Sequence, residues 1–581
     1  MAFQVSPGVL VQETDLSTII PAVATTPAGI AGYFSWGPVA QRILIDSESS
    51  LVQLFGAPDA NTYQYFFSAA NFLAYGNNLQ VVRVVDSSST NAVAGATSTP
   101  SPILIKNSDH YESNVSSNGG WLGGGGGTGV AIAGKYAGKL GNSLQIDLCD
   151  GVTAFNGWSL SAYFTNPPGT SPFVEGLGGV NDEIHIVIRD LNGKFSGSTG
   201  SILELHEGLS KARGARKADG SSNYYVDILN DSKYVWWINH PTGISTRDAK
   251  EGGSFGIITP NAYSWSSLTG SASYTFTGGN AVAPSESTIS SSSGEGYGMF
   301  TNTDNVDVSL LIAGPLGKTA AKDVADIAKA RLDCVAFVSP DVKNPVATEQ
   351  TKLDTCLDLR NTIGNNSYCF IDTGYRQQYD RYNDVYRWTC LNSDIAGLCA
   401  RTDLTNDPWW SPAGFNRGQI RNLSKLAYNP TSAHRDALYS KGVNPVVTFP
   451  GEGTILYGDK TAQTKPSAFD RINVRRLFIT LEKAISIAAK YQLFEFNDAF
   501  TRAIFVSTIE PFLRDVQSRR GIFDFKVVCD ETNNTAEVVD GNRFVATIFV
   551  KPSRSISTIA LSFVATRSNV SFDEITALNA I

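Results

Sequence analysis

VSLLIAGPLGKTAAKDVADIAKARLDCVAFV, residues 308–338, carries the architecture in outline. It begins with an apolar strand, Val308 to Ile312, and crosses Gly314-Pro315. Ala320 to Arg331 then reads as a helix, and Cys334 to Val338 as a second apolar strand. A parallel neighbour strand is reached only through a crossover of this kind. The unit repeats at once, with a helix over Thr348 to Asn361 and a strand over Tyr368 to Asp372. Successive β-α-β units predict a parallel sheet covered by helices.

Downstream, two longer helices are expected, over Ser467 to Tyr491 and Asp498 to Gln517. The second contains Pro511, so a kink or break is predicted near Glu510. Strands Phe523 to Cys529 and Phe544 to Val550 flank a turn at Asp530 to Asn534, and Ile559, Leu561 and Phe563 alternate as one apolar strand face. Upstream, Ala28 to Phe34, Arg42 to Ile45 and Leu79 to Val85 read as strands. A helix is predicted over Thr62 to Tyr75, with Asn61 as N-cap and Gly76 as its stop.

Between these two well-patterned zones the chain is rich in Ser, Gly, Thr and Asn. Strands are expected there at Ser143 to Cys149, Glu183 to Arg189, Tyr224 to Ile228 and Tyr234 to Ile238. The glycine run Gly123 to Gly127 precedes no helix, so it reads as a surface loop and not a phosphate cradle. The predicted division is a discontinuous α/β core over 23–88 plus 306–430, with an inserted, surface-exposed, mostly-β region over 89–305. A C-terminal α+β inner domain over 431–566 follows, and arms over 1–22 and 567–581 complete the chain.

Composition narrows the function. With 46 Lys+Arg against 54 Asp+Glu the net charge is -8, which excludes a basic coat that neutralises phosphates, so no nucleic-acid binding is expected. Seven cysteines without CxxC spacing and five scattered histidines predict free, buried thiols and no metal. The N-terminus has no signal-peptide pattern, and no run approaches the ~20 apolar residues that span a bilayer, so a soluble chain without membrane insertion is expected.

A hydrolase on the α/β core would need a placed histidine, and that zone offers only His434, in TSAHRDAL. There is no GxSxG elbow and no HExxH. Asp530 and Glu531 could hold a cation, yet DETNNT reads better as a hairpin turn. No catalytic constellation and no cofactor site emerge. Tyr224, Tyr225, Trp236, Trp237, Tyr263 and Trp265 could stack on sugars, although aromatics in small β domains usually form cores.

Several long motifs remain: SPGVLVQETDLS (6–17), GIAGYFSWGP (29–38), PWWSPAGFNRG (408–418), LAYNP (426–430) and GVNPVVTFPGEGTILYGDKT (442–461). FDRINVRRLFITLEKAI (469–485), FEFND (494–498), PFLRDVQ (511–517), FKVVCDETNNT (525–535) and FVATR (563–567) continue the series. In these the chain resembles the contractile tail sheath proteins of T-even-like myophages, over roughly 1–85 and 306–575. Within the insertion only KYAGKLGNSL (135–144) is similar. The resemblance implies a subtilisin-like, non-catalytic core and stacked hexameric rings wound helically around a tail tube. It also implies contraction that drives the tube through the host envelope. Implied partners are further copies of the chain, the tube protein, and baseplate and tail terminator proteins. The implied location is the virion tail, after synthesis in the host cytoplasm. A sheath of a related non-phage injection system is the alternative.

The resemblance implies arms that reach into neighbouring subunits and complete a shared sheet. The residues suit this, because Val5, Val9 and Val11 alternate, as do Val570 and Phe572, enough to anchor an added strand by one face. Arg514, Arg519 and Arg520, following Arg502 along the second long helix, are expected to form a basic patch facing an acidic tube.

Overall fold

In a computed structural model, residues 25–95, 103–115, 130–176, 178–212, 214–238 and 271–556 are described. Six strands form the central sheet in the order Cys369–Ile371, Val335–Val338, Leu310–Ile312, Ala28–Gly32, Leu79–Arg83, Arg42–Ile45. The first five run parallel and the last is antiparallel. Ala28 sits between Leu310 and Leu79, so one sheet is sewn together from two pieces of chain more than two hundred residues apart.

The pleat sorts the strand side chains into two layers. Ala31, Val82, Leu311, Ala336, Val338, Cys369 and Ile371 face the helices Lys318–Arg331 and Glu349–Ile363, which add Val324, Ala328, Cys356 and Leu359. Ile30, Val81, Leu310, Ile312, Val335, Phe337 and Phe370 face the opposite way. There they meet Phe66, Phe67 and Ala69 of Tyr63–Leu73 and Ile395, Leu398 and Cys399 of Asn392–Thr405. Burial on both faces explains why these strands read as unbroken apolar runs.

Local chemistry differs from the sequence reading at three places. Asn61 does not cap the helix Tyr63–Leu73. Thr62 occupies the N-cap, and the Asp59 carboxylate accepts from the Asn61 and Thr62 backbone N–H groups, both at 2.8 Å. Residues Tyr225–Asp231 form a helix and not a strand, since Tyr225, Val226 and Leu229 share one buried helical face. The helix Ala499–Ser518 runs through Pro511 without interruption. Pro511 lies on the exposed side, where water can satisfy the carbonyl it leaves unbonded, while Ile509, Leu513 and Val516 stay buried.

The inserted region folds around antiparallel sheets. One has the order Ala272–Thr275, Leu144–Cys149, Glu183–Asp190, Ser201–Ser210, and the other Asn91–Gly95, Val130–Ala137, Val235–Trp237. Arg83 ties this region to the central sheet. Fully buried, it donates to the carbonyls of Phe34 (2.9 Å), Gly37 (2.8 Å) and Ala137 (2.6 Å). Burial depresses its guanidinium to about 9, and Tyr33 and Tyr136 act weakly in the other direction.

Beyond residue 430 the chain keeps contributing to the central layers through Leu438, Val443, Val446, Leu456 and Ile472. A separate cluster then forms around Trp409, Leu477, Leu481, Phe505, Ile509 and Leu513. It joins the helices Ile472–Lys490 and Ala499–Ser518 to a hairpin of Ile522–Val528 and Thr547–Pro552.

Candidate assembly surface

The hairpin pairs Phe525 with Val550, Val527 with Ile548 and Val528 with Thr547, with an irregularity between Ile522 and Asp524. Alternate side chains, Phe525, Val527, Ile548 and Val550, pack on the helix pair. The other face is open to solvent, with Phe523 71% and Phe549 58% exposed between Lys526 and Lys551. Among the described residues, neither outer edge of this two-stranded sheet has a strand neighbour. A free edge offers a row of backbone N–H and C=O groups to any extended chain that reaches it. Ile556, just past the last strand, is also exposed.

The turn region after Val528 is held by its own polar groups. Asp530 accepts from the Thr532 hydroxyl and, at 2.9 Å, from the Thr532 backbone N–H, and these hydrogen bonds hold its exposed carboxyl below the usual range. Asn534 accepts from Val545 N–H at 2.9 Å and donates to the Val545 carbonyl at 2.7 Å. Among the described residues no group of three or more His, Cys, Asp or Glu is placed to hold a metal. His434 lies on the helix Ser432–Ser440, its Nδ1 3.0 Å from the Tyr428 hydroxyl, and all seven cysteines are free and buried.

Val5, Val9, Val11, Val570 and Phe572 lie outside the described residues. The arginines are placed, and they are partnered. Arg514 pairs with Glu510 at 3.3 Å, and Arg519 with Asp515 at 3.4 Å and with Asp407. Arg520 sits over the Trp410 ring, 5.4 Å from its centroid, with φ of +66°. Arg502 is buried and reaches the Asn534 carbonyl at 3.5 Å. The positive patch is therefore interleaved with carboxylates that spacing alone does not reveal.

Of the aromatics in the insertion, Tyr224, Tyr225, Trp236 and Trp237 are all buried, Trp236 stacking on Tyr111 at 4.3 Å, so these four serve as core; Tyr263 and Trp265 lie outside the described residues. No helix among the described residues is long and apolar enough to cross a membrane.

Among the described residues, an α/β body thus carries a two-stranded hairpin with uncovered edges and bare phenylalanines. Sequence profiles identify its class. The phage tail sheath protein central domain matches 299–462, the phage tail sheath C-terminal domain 464–566, and the tail sheath protein Gp18 domain III N-terminal region 25–84. The tail sheath protein of Enterobacteria phage T4 is 34% identical, over 99% of each chain. That of Vibrio phage KVP40 is also 34% identical, over 98% of this chain and 99% of its own, and that of Salmonella phage ViI 29%, over 99% and 98%. The chain belongs to the phage tail sheath protein family. Its fold is similar to that of the sheath tail protein of Listeria innocua, with a TM-score of 0.52 and 11% identity over 92% of this chain and 97% of that one. The sheath tail protein of Desulfitobacterium hafniense gives 0.50 and 11% over 90% and 94%.

Proposed function

We propose that this chain is the structural subunit of a contractile tail sheath, polymerising as stacked hexameric rings around a tail tube. It shortens on a signal from the baseplate and drives the tube through a host envelope. Residues 1–22 and 567–581 act as extended arms, and one from each of two neighbours adds to the two free edges of the C-terminal hairpin. Val5, Val9, Val11, Val570 and Phe572 anchor those strands on one face. The observation that carries this reading is the hairpin's pair of edges that have no strand neighbour among the described residues, beside exposed Phe523 and Phe549.

Two different arms given to two different neighbours make a head-to-tail contact that does not close, which generates an open helical lattice. The α/β core, 23–88 plus 306–430, is taken as a rigid body of subtilisin-like topology without catalysis. Residues 89–305 are taken to face outward and the helix pair with its hairpin to face the tube. Contraction then requires the shortened lattice to bury more surface than the extended one. At about 25 cal/mol per Å2, an extra ~400 Å2 of apolar burial supplies roughly 10 kcal/mol per subunit. The extended state is held by a barrier and not by its equilibrium stability. Tube, baseplate and terminator proteins are the partners, in a virion tail assembled in the host cytoplasm.

Deleting residues 1–22 or 567–581 tests the proposal. Each truncated chain is expected to stay folded by circular dichroism yet to sediment as a monomer. Tubular polymers from either truncation, seen by electron microscopy, would refute strand exchange.

A further inference from the structure

The loop between the two C-terminal helices carries more bare apolar surface than a monomer needs. Leu493, Phe494, Phe496 and Phe500 all project into solvent. A cluster of this kind marks a contact surface. It is also held in place. Phe494 has φ of +71°, a left-handed backbone that a phenylalanine adopts only under local constraint. Asn497 pins the base of the loop by donating to the Arg543 carbonyl at 2.8 Å and to Asn534 Oδ1 at 3.2 Å. Asp498 begins the next helix by accepting from Thr501 N–H at 2.8 Å. Phe494-Glu495-Phe496 is therefore a preformed knob, two rings with a carboxylate between them.

A matching hole lies elsewhere on the same chain. Between the helix Tyr63–Leu73 and the hairpin Tyr375–Asp380 with Val385–Cys390 runs an open groove of about 490 Å3. Phe67, Ala70, Leu73, Tyr386 and Leu423 give it apolar walls. Asn71 lines it too, only 7% exposed, and among the described residues its side-chain nitrogen has no hydrogen-bond partner. A buried donor left unpaired is unfavourable until an acceptor arrives. Arg381 stands at the rim, 3.1 Å from Glu48 and otherwise exposed.

We propose that the Phe494-Glu495-Phe496 knob of one copy seats in this groove of a second copy. The rings enter the apolar walls, and Glu495 or a loop carbonyl accepts from Asn71 while facing Arg381. Knob and hole are made by different residues of one chain, so seating each knob in the next copy's hole gives a head-to-tail contact that propagates along a filament, whereas reciprocal seating would close as a dimer and give no higher multiples. Rigid aromatic anchors in a pocket are the usual centre of such an interface. This contact rests on the self-assembly proposed above but does not use the arms.

The full-length double variant Phe494→Cys plus Ser424→Cys tests it, because Ser424 is exposed on the groove wall and the seven native cysteines are buried. Assembled particles treated with a short bifunctional thiol reagent are expected to give a denaturing-gel ladder of dimers and higher multiples, with neither single variant going past a dimer. Polymers that form without the ladder overturn the knob-in-groove contact and leave strand exchange standing. A cross-link from position 494 only to another protein of the particle also overturns it. An unsubstituted chain that never polymerises under the same conditions refutes the assembly reading itself. Asn71→Leu, which keeps the groove apolar but removes the unpaired donor, is expected to weaken polymerisation several-fold while leaving the monomer's melting temperature unchanged or raised.

Discussion

At the Cys369–Ile371 edge of the central sheet, the chain supplies its own cover. Asn444 donates from its backbone at 2.9 Å and its side chain at 3.0 Å to the Ile371 carbonyl, and Ala462 N–H donates to the Cys369 carbonyl at 2.8 Å. Helices close both faces of that sheet. The C-terminal hairpin has the same kind of backbone, with one face packed, one face bare and both edges without a strand neighbour among the described residues, and its carbonyls at Phe523 and Val528 are met only by the side chains of Gln517 and Asn533. A sheet edge covered in this way can take no further strand. A two-stranded sheet is marginal alone and gains by taking on strands. The contrast separates the part that keeps its shape from the part that joins.

The largest expected effect tests that separation directly. Phe337 is fully buried in the central sheet, its ring 5.8 Å from that of Phe370, and Phe337→Ala should cost about 3–5 kcal/mol of folding stability. Phe549→Ala, on the bare face of the hairpin, should change monomer stability by no more than about 0.5 kcal/mol and yet impair polymerisation. Urea unfolding of the monomer and sedimentation of the polymer give the two readouts. If Phe549→Ala destabilises the monomer as strongly as Phe337→Ala, the hairpin face is core and the contrast is lost.

A middle-sized effect concerns the polar joint at the C-terminal end of the sheet. Asp372 is fully buried beside Ser339, whose hydroxyl donates to it at 2.7 Å, and Gly374 N–H, also at 2.7 Å. Burial pushes its carboxyl up to about 8, against those hydrogen bonds and with a small contribution from Asp394. Asp394 is itself raised to about 6 by burial, although Arg376 lies 3.1 Å away. A carboxyl whose folded pKa exceeds its unfolded value of about 3.9 binds more protons when folded. Its stabilisation is complete below the unfolded value and is lost as pH rises from about 4 through 8. Asp372→Asn should flatten that part of the stability–pH curve and raise stability at pH 8 by about 1–3 kcal/mol. A slope unchanged in the variant would show that Asp372 is not the group responsible.

Much of the closed body was legible in the chain, and the reasons are physical. Strands buried on both faces leave continuous apolar runs such as Leu310 to Ile312 and Val335 to Val338, and the helices between them appeared within two residues of their ends. Asn392–Thr405 escaped notice because ten of its fourteen residues are buried, Asn392, Ser393 and Asp394 among them, which erases the one-sided apolar stripe. The helix Tyr225–Asp231 reads as a strand in the sequence because it is short, and its burial depends on packing from distant sheets. At the assembly surface the strand-forming residues of the hairpin could be read, whereas its bare face could not, since alternation looks the same whichever side is covered. The groove beside Asn71 joins residues 48, 71, 381 and 423, and no local pattern announces it.

The smallest effect expected belongs to the arginines at the end of the second long helix. Exposed pairs such as Arg514 with Glu510 contribute between zero and about 1 kcal/mol, so in the triple variant Arg514→Glu, Arg519→Glu, Arg520→Glu the first and last changes should alter folding stability only slightly, while Arg519→Glu also leaves the buried Asp407 without its partner. The interleaved carboxylates Glu510, Asp515 and Asp407 also reduce the field that these arginines can present to an acidic tube. Any attraction is consequently short-ranged and screened within about 10 Å at 0.1 M salt. Co-sedimentation of tube with sheath should fall in the triple variant at low salt, and the difference should shrink as salt is added. Equal attachment at low salt would remove the arginines from the tube contact. The hairpin and the aromatic loop would then be the parts of the C-terminal region that remain assigned to binding.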